Sequence, residues 1–249
     1  MGKKIFFVSW IFVFVSFAAV RVFSESFSES AVQISADKLI QISLSLEQGA
    51  LKLKISASGT PIGGGLVVTN RHVFKNDAEL RKKGFDTAAQ SIVSELVGYY
   101  TESRALRFSL KLQKLGVEDD VAILRANLQT LHDMMENSWS SQQHRDLVVL
   151  YALLIKGIPI ADKKPAVDDS LYLAGFPFGG PLVVNAGMLF HSSLSDVSCR
   201  GNAEYGMSGG GIFNGSGEIV GFVARKRRDS DGKDLVEGPS VNTIEKLIH

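Results

Sequence analysis

Apolar and polar residues alternate at Ile40, Ile42, Leu44 and Leu46 and again at Leu51, Leu53 and Ile55, the period of two expected of half-buried strands. Val32 and Ile34 are read as an earlier strand of the same kind. Gly63-Gly64-Gly65 then predicts a close backbone approach before Leu66-Val67-Val68, an apolar run suited to burial on both faces. Between Asp77 and Tyr100 the apolar positions Leu80, Phe85, Ala88, Ala89, Ile92, Val93 and Leu96 fit a helical period better. Alternation returns at Leu106, Phe108, Leu110 and Leu112.

Residues 127–156 read as a helical insertion, from Leu128, Leu131, Met134, Met135 and the apolar stretch 147–155. It is expected to pack against its surroundings; a lid over a cleft or a partner surface is the alternative. Two prolines and several charges mark 157–169 as a linker. Further strands are predicted near 171–175, 182–190, 211–214 and 218–224, the last two joined by the hairpin signal Asn214-Gly215-Ser216-Gly217. Asn242 with Glu245 resembles a capping box and predicts a C-terminal helix over 243–248. The chain thus reads as mainly β, in two units spanning 31–126 and 170–249, with a helical insertion near 77–100 in the first.

The length of 249 residues and the 45% hydrophobic content allow a sizeable core. Lys3 and Lys4 precede an apolar run from Ile5 to Val20, so residues 1–24 read as a secretory signal, or as an uncleaved anchor, the one route to a membrane. Without them 24 basic and 26 acidic side chains remain, a balance that offers nothing to nucleic acid. The one concentrated basic patch, Arg225-Lys226-Arg227-Arg228, is expected to cap a hairpin in solvent. Cys199 stands alone, which excludes an internal disulfide and reads as a buried structural thiol.

Chemistry concentrates in Gly206-Met207-Ser208-Gly209-Gly210-Gly211. Glycines on both sides of one serine let a tight loop present a hydroxyl beside unblocked backbone N–H groups. An alcohol must lose its proton as it attacks, which calls for an imidazole, and His72 after Thr69-Asn70-Arg71 is the candidate base. The imidazole in turn needs a carboxylate on its other nitrogen; Asp120 fits at the start of Val121-Ala122-Ile123-Leu124, with Asp119 its rival. The backbone N–H groups of Gly206 and Ser208, with Met207 setting the turn between them, form the expected oxyanion hole.

These stretches, together with Leu171-Tyr172-Leu173-Ala174-Gly175-Phe176-Pro177-Phe178-Gly179, resemble the trypsin-like serine proteases over roughly Gly59 to His249. Within them the likeness is to the bacterial high-temperature-requirement branch. The resemblance implies two six-stranded β-barrels, a protein or peptide substrate, and neither metal nor cofactor. With 41 residues after Ser208, the C-terminal peptide-binding domain common in that branch is expected to be missing. Zymogen-type relatives place an aspartate where this chain has Met207, so an ion pair with a new N-terminus is not expected. By the same resemblance the specificity pocket draws on Asn202, Gly221, Phe222 and Val223, with Glu204 read as loop surface; no carboxylate is expected to serve a lysine or arginine there. The reading is an exported serine endopeptidase, the alternatives being a catalytically silent binding protein of this fold or an esterase with the same triad.

Overall fold

The computed structural model describes residues 29–86, 93–100, 106–138 and 140–248; the expected leader, 1–24, lies outside them. Ile40–Gln48 (β1) and Leu51–Gly63 (β2) pair across a two-residue turn in which Gly49 takes φ +60°, a value that costs glycine nothing. Leu66–Thr69 (β3), Val93–Tyr100 (β4), Arg107–Leu115 (β5) and Ala122–Ala126 (β6) complete a closed antiparallel barrel, ordered β1-β2-β3-β6-β5-β4. Its interior holds the alternating set of β1 (Ile40, Ile42, Leu44, Leu46) with Val67, Phe108, Leu110 and Leu124.

Two local expectations give way. Residues 29–36 form a helix (α1) rather than a strand: Val32 and Ala36, four apart, are buried, while Ile34 is exposed. In the stretch read as helical, only Asp77–Lys82 (α2) is a helix, capped by Asn76 and closed at Gly84 with φ +88°. Residues 87–92 lie outside the described set, and Val93–Tyr100 is β4. Its Val97, Tyr99 and Tyr100 suit a pleated surface, and pairing with β1 on one side and β5 on the other overrides the helical spacing.

Residues 127–156 form two helices, Leu128–Glu136 (α3) and Ser141–Lys156 (α4), N-capped by the side chains of Asn127 and Ser140. Leu147, Leu150 and Leu154 make one stripe on α4 that joins the barrel core. The triple glycine performs the predicted close approach, and its partner is this helix: Gly64 N–H and Gly65 N–H donate to the carbonyls of Ile155 (3.0 Å) and Leu154 (2.9 Å). The insertion therefore anchors the turn that leads into β3. Gly157 ends α4 at φ +74°, where its N–H reaches Leu153 O at 2.7 Å.

The second unit contains Ser170–Gly175 (β7), Val183–Ser192 (β8), Asp196–Arg200 (β9), Gly211–Phe213 (β10), Ile219–Phe222 (β11), Arg225–Arg228 (β12) and Asp234–Pro239 (β13). They form one sheet ordered β11-β10-β7-β8-β9-β13-β12. Instead of a second continuous six-stranded ladder, the sheet curls until β11 meets the end of β13 through a single antiparallel bridge, Gly221 to Ser240. The basic run does not cap a hairpin. It is itself the edge strand β12, and the turn follows it, closed by Asp229 N–H to Lys233 O at 2.9 Å. A second apolar cluster of Leu171, Leu173, Val197, Cys199, Ile212, Val236 and Met207 fills the inside of this sheet. Burial pushes the Cys199 thiol up to about 12. The last helix, Val241–Ile248 (α5), begins two residues before the expected position, so Asn242 lies in its first turn instead of ahead of it.

A β-carbon on Gly157 would lie 2.4 Å from the carbonyl carbon of Ile62, in a backbone conformation that L residues rarely adopt. Gly157→Ala is therefore expected to cost about 1–3 kcal/mol or more, lowering Tm by roughly 2–12 °C for a chain of this size. An unchanged Tm in thermal denaturation would show that the junction of α4 with β2 yields freely.

Candidate active site

Three elements from two units converge on one cleft. After β3 the chain turns through Asn70 into a single 3₁₀ turn, Arg71–Val73, which carries His72. Asp120 stands two residues before β6, which pairs with β3, so adjacent strands bring the two side chains together. Asp120 is fixed on three sides. Its Oδ1 accepts from His72 N–H at 2.9 Å, its Oδ2 lies 2.7 Å from His72 Nδ1, and its carbonyl accepts from Asn70 Nδ2 at 2.9 Å. Burial alone would raise the Asp120 pKa, but the hydrogen bonds and charge of His72, with a smaller contribution from Arg225, hold it below the ordinary carboxylate value. The Asp119 carboxylate makes no hydrogen bond or ion pair among the described residues.

His72 Nε2 lies 3.0 Å from Ser208 Oγ, which also approaches the carbonyl of Ala224 at 3.5 Å. The loop bearing Ser208 is set by its glycines for steric reasons. Gly206 takes φ +97°, and a β-carbon there would sit 2.5 Å from Phe176 O; at Gly209, φ +84°, it would sit 2.3 Å from Ser58 O. The Met207 N–H is used internally, donating to Glu204 O at 3.1 Å. Gly206 N–H and Ser208 N–H find no acceptor among the described residues, which leaves two free donors in the loop that carries the Ser208 hydroxyl. The side chain of Met207 is fully buried in the second apolar cluster.

Across the boundary between the units, buried hydroxyls of the first barrel grip this loop. Ser58 N–H donates to Ser208 O (2.8 Å), Ser58 Oγ donates to Gly206 O (2.9 Å) and accepts from Phe176 N–H (2.9 Å). Thr60 Oγ1 donates to Gly209 O (2.9 Å), and Thr69 Oγ1 to Ser58 O (2.8 Å).

The cleft encloses about 850 Å³ and is bounded by Leu53, Ile55, Phe178, Ala203, Val223 and Ala224, with charged side chains on both rims. Of the pocket residues read from resemblance, only Val223 lines it. Phe222 and Gly221 are buried on β11, where a register shift against β10 breaks the alternation and leaves Ile219 and Phe222 in the main core while Val220 and Val223 join the second cluster. Asn202 is exposed and engaged elsewhere, accepting from Lys226 Nζ (2.6 Å) and donating to Glu204 (3.1 Å). Glu204, read above as loop surface, is a lining residue, as are Ala224, Arg225 and Lys226, which sequence reading did not place there. Nothing local distinguishes them: Ser58 looks like any strand serine, and Arg225 like any solvated charge. Tyr205 Oη reaches the Glu79 carboxylate on the facing wall at 3.3 Å.

Two β units meeting at a cleft, with an aspartate, a histidine and a serine in hydrogen-bonded series, are the arrangement of the trypsin-like fold. The chain belongs to the trypsin-like peptidase domain family, whose model matches residues 57–222. Among solved structures it is similar to the Rv3671c protease from M. tuberculosis in its active form, at 15% identity and TM-score 0.61, covering 88% of this chain and 82% of that one. The inactive form of that protease aligns at 16% identity and TM-score 0.59, covering 88% and 91%. The serine endoprotease from Yersinia pestis aligns at 16% identity and TM-score 0.62, covering 89% of this chain and 65% of that one. At these identities the likeness is one of fold. No curated protein sequence matches the chain.

Ser58→Ala would leave Phe176 N–H and Gly206 O buried without their partner, at about 1–3 kcal/mol. The expected outcome is a lower denaturation midpoint in urea together with a fall in reactivity of Ser208, restored in both by Ser58→Thr. Reactivity lost without a stability change would assign Ser58 to the site alone.

Proposed function

We propose that this chain is an exported serine endopeptidase that cleaves peptide bonds through Ser208, His72 and Asp120. The observation carrying the proposal is the continuous series Asp120–His72–Ser208, ending in a loop whose Gly206 and Ser208 N–H groups have no acceptor among the described residues. In this reading Ser208 Oγ attacks the scissile carbonyl carbon while His72 Nε2 takes its proton. The Asp120 carboxylate, kept ionised by its lowered pKa, accepts a hydrogen bond from His72 Nδ1–H and stabilises the imidazolium without taking its proton. Negative charge growing on the carbonyl oxygen is met by Gly206 N–H and Ser208 N–H. Collapse expels the amine, which takes its proton from His72, and leaves an acyl group on Ser208. Water, deprotonated by His72, then releases the acid and regenerates the serine. The leader-like sequence over residues 1–24 supports export.

Ser208→Ala should abolish labelling by a fluorophosphonate probe and lower hydrolysis by about 10⁴-fold or more. Asp120→Asn should cost about 10⁴-fold at neutral pH by presenting the wrong histidine tautomer, with Asp119→Asn mild. Full activity in a folded Ser208→Ala protein would remove the proposal, and the opposite ranking of the aspartates would transfer the orienting role. Hydrolysis of esters but not of peptides would make the chain an esterase.

Ala203, Val223 and Ala224 are apolar residues of the cleft that holds Ser208, and the Ala224 carbonyl lies 3.5 Å from Ser208 Oγ. The residue before the scissile bond is therefore expected to be uncharged and of small or medium size, since an ammonium without a partner loses several kcal/mol on desolvation. A cleavage profile on a peptide library reads this directly. Dominant cleavage after lysine or arginine would show Glu204 serving as the counter-charge.

A further inference from the structure

β12 is the outermost strand of the second sheet, hydrogen-bonded to β13 on one side only. Its sequence is Arg225-Lys226-Arg227-Arg228, and every residue is exposed. Alternation sends the four side chains to two carboxylates. Arg225 and Arg227 pair with Glu237, the former at 3.1 Å, while Lys226 and Arg228 pair with Asp234 at 2.9 and 3.9 Å. Among the described residues two carboxylates lie within ion-pair distance of these four cations, and Asp120 adds a longer-range negative charge at the Arg225 end, so positive charge stays in excess along the open strand edge.

Charges on an edge strand commonly serve to repel other strands, but a repelling edge needs only solvated side chains. Here Glu237 is a desolvated carboxylate, its side chain 11% exposed and receiving a further hydrogen bond from Ser198 Oγ, whereas the guanidinium-bearing chains that it holds are 73% and 59% exposed. A buried charge is costly to keep, and this one orients two cations toward solvent. The strand also starts at the reaction centre: Ala224, whose carbonyl lies 3.5 Å from Ser208 Oγ, immediately precedes it, and Arg225 and Lys226 line the cleft. On the facing wall Lys54 has no carboxylate partner among the described residues, and Lys83 is matched by Glu79 at 3.6 Å. Glu204 is the acidic lining residue on the β12 side, and its neighbour Asn202 is tied to Lys226.

We infer that β12 selects substrates with an acidic segment: an extended peptide adds to its free edge and places Asp or Glu side chains against Arg225, Lys226 and Arg227, on one side of the scissile bond only. This rests on the peptidase reading above and names its substrate class. Main-chain pairing supplies affinity and the cations supply selection.

The test is a set of peptides of one parent sequence, with Glu, Gln or Lys placed in turn at each of the four positions on either side of the scissile bond. At each such position Glu is expected to exceed Gln by about two- to fivefold in kcat/KM, through KM, as one exposed charge pair allows, and on one side of the scissile bond only. The ratio should shrink in 0.5 M NaCl, where the screening length falls to roughly 4 Å, the scale of an ion-pair contact, and collapse in Arg225→Gln/Arg227→Gln. Equal cleavage of the Glu and Gln series overturns the inference. If no peptide is cleaved and Ser208 resists the fluorophosphonate, the peptidase reading fails by itself. Fluorescence anisotropy of the labelled Glu, Gln and Lys peptides on Ser208→Ala protein still decides the strand's role. Binding that favours Glu and is lost in the double arginine variant supports it. Equal binding of the three peptides, or of an oligonucleotide of equal charge, overturns it.

Discussion

The geometry of the site depends on a set of buried hydroxyls that cross from one β unit to the other. His72 and Asp120 belong to the first barrel and Ser208 to the second unit, so their 3.0 Å contact is only as well defined as the placement of one unit on the other. Apolar packing is non-directional and would leave that placement loose on the scale of a proton transfer. Ser58, Thr60 and Thr69 remove the freedom, because each is fully buried and each hydroxyl donates to backbone of the nucleophile loop or of the strand that faces it. A slip of the loop would strand several buried polar groups at once, and that penalty fixes it.

The sequence made the chemistry more legible than the architecture around it. Ser208, His72 and Asp120 could be named because each sits in a short segment whose backbone demands are visible: glycines before and after a serine, a polar turn after an apolar strand, a carboxylate before an apolar strand. The first barrel was legible for a similar reason, since β1 and β2 have one face buried and alternate cleanly. Where the reading failed, tertiary pairing had outweighed local spacing. Val93 and Leu96 in β4 also satisfy a helical period, and in α1 the spacing of Val32 and Ile34 points to a strand although the pair that is buried is Val32 and Ala36, four apart. The cleft walls were the least legible part. Gly221 and Phe222 are buried in β11, whereas Val223 and Ala224 follow the end of that strand and both line the cleft, so the wall is set by where β11 stops, which the apolar run 219–224 does not mark.

Arg225 couples the two readings of the cleft. It is one of the charges that depress the Asp120 pKa, and it is also the first residue of the basic edge. An anionic segment lying on that edge would partly neutralise the guanidinium and return some proton affinity to Asp120. Glu237 limits the effect, because it already offsets much of the Arg225 charge whether the cleft is empty or filled.

Met207 holds the nucleophile loop by volume rather than by charge. Its thioether chain fills the second apolar cluster at a point where an ionic latch would have two states, paired and unpaired, switched by a proton or by a newly made terminus. Filled volume has no such switch, and its strength varies continuously with the size of the chain that fills it. Substitution at this one position would therefore change the stability of the loop in steps set by side-chain volume, alongside the loss of the hydrogen bond that the thioether accepts from Glu204 N–H.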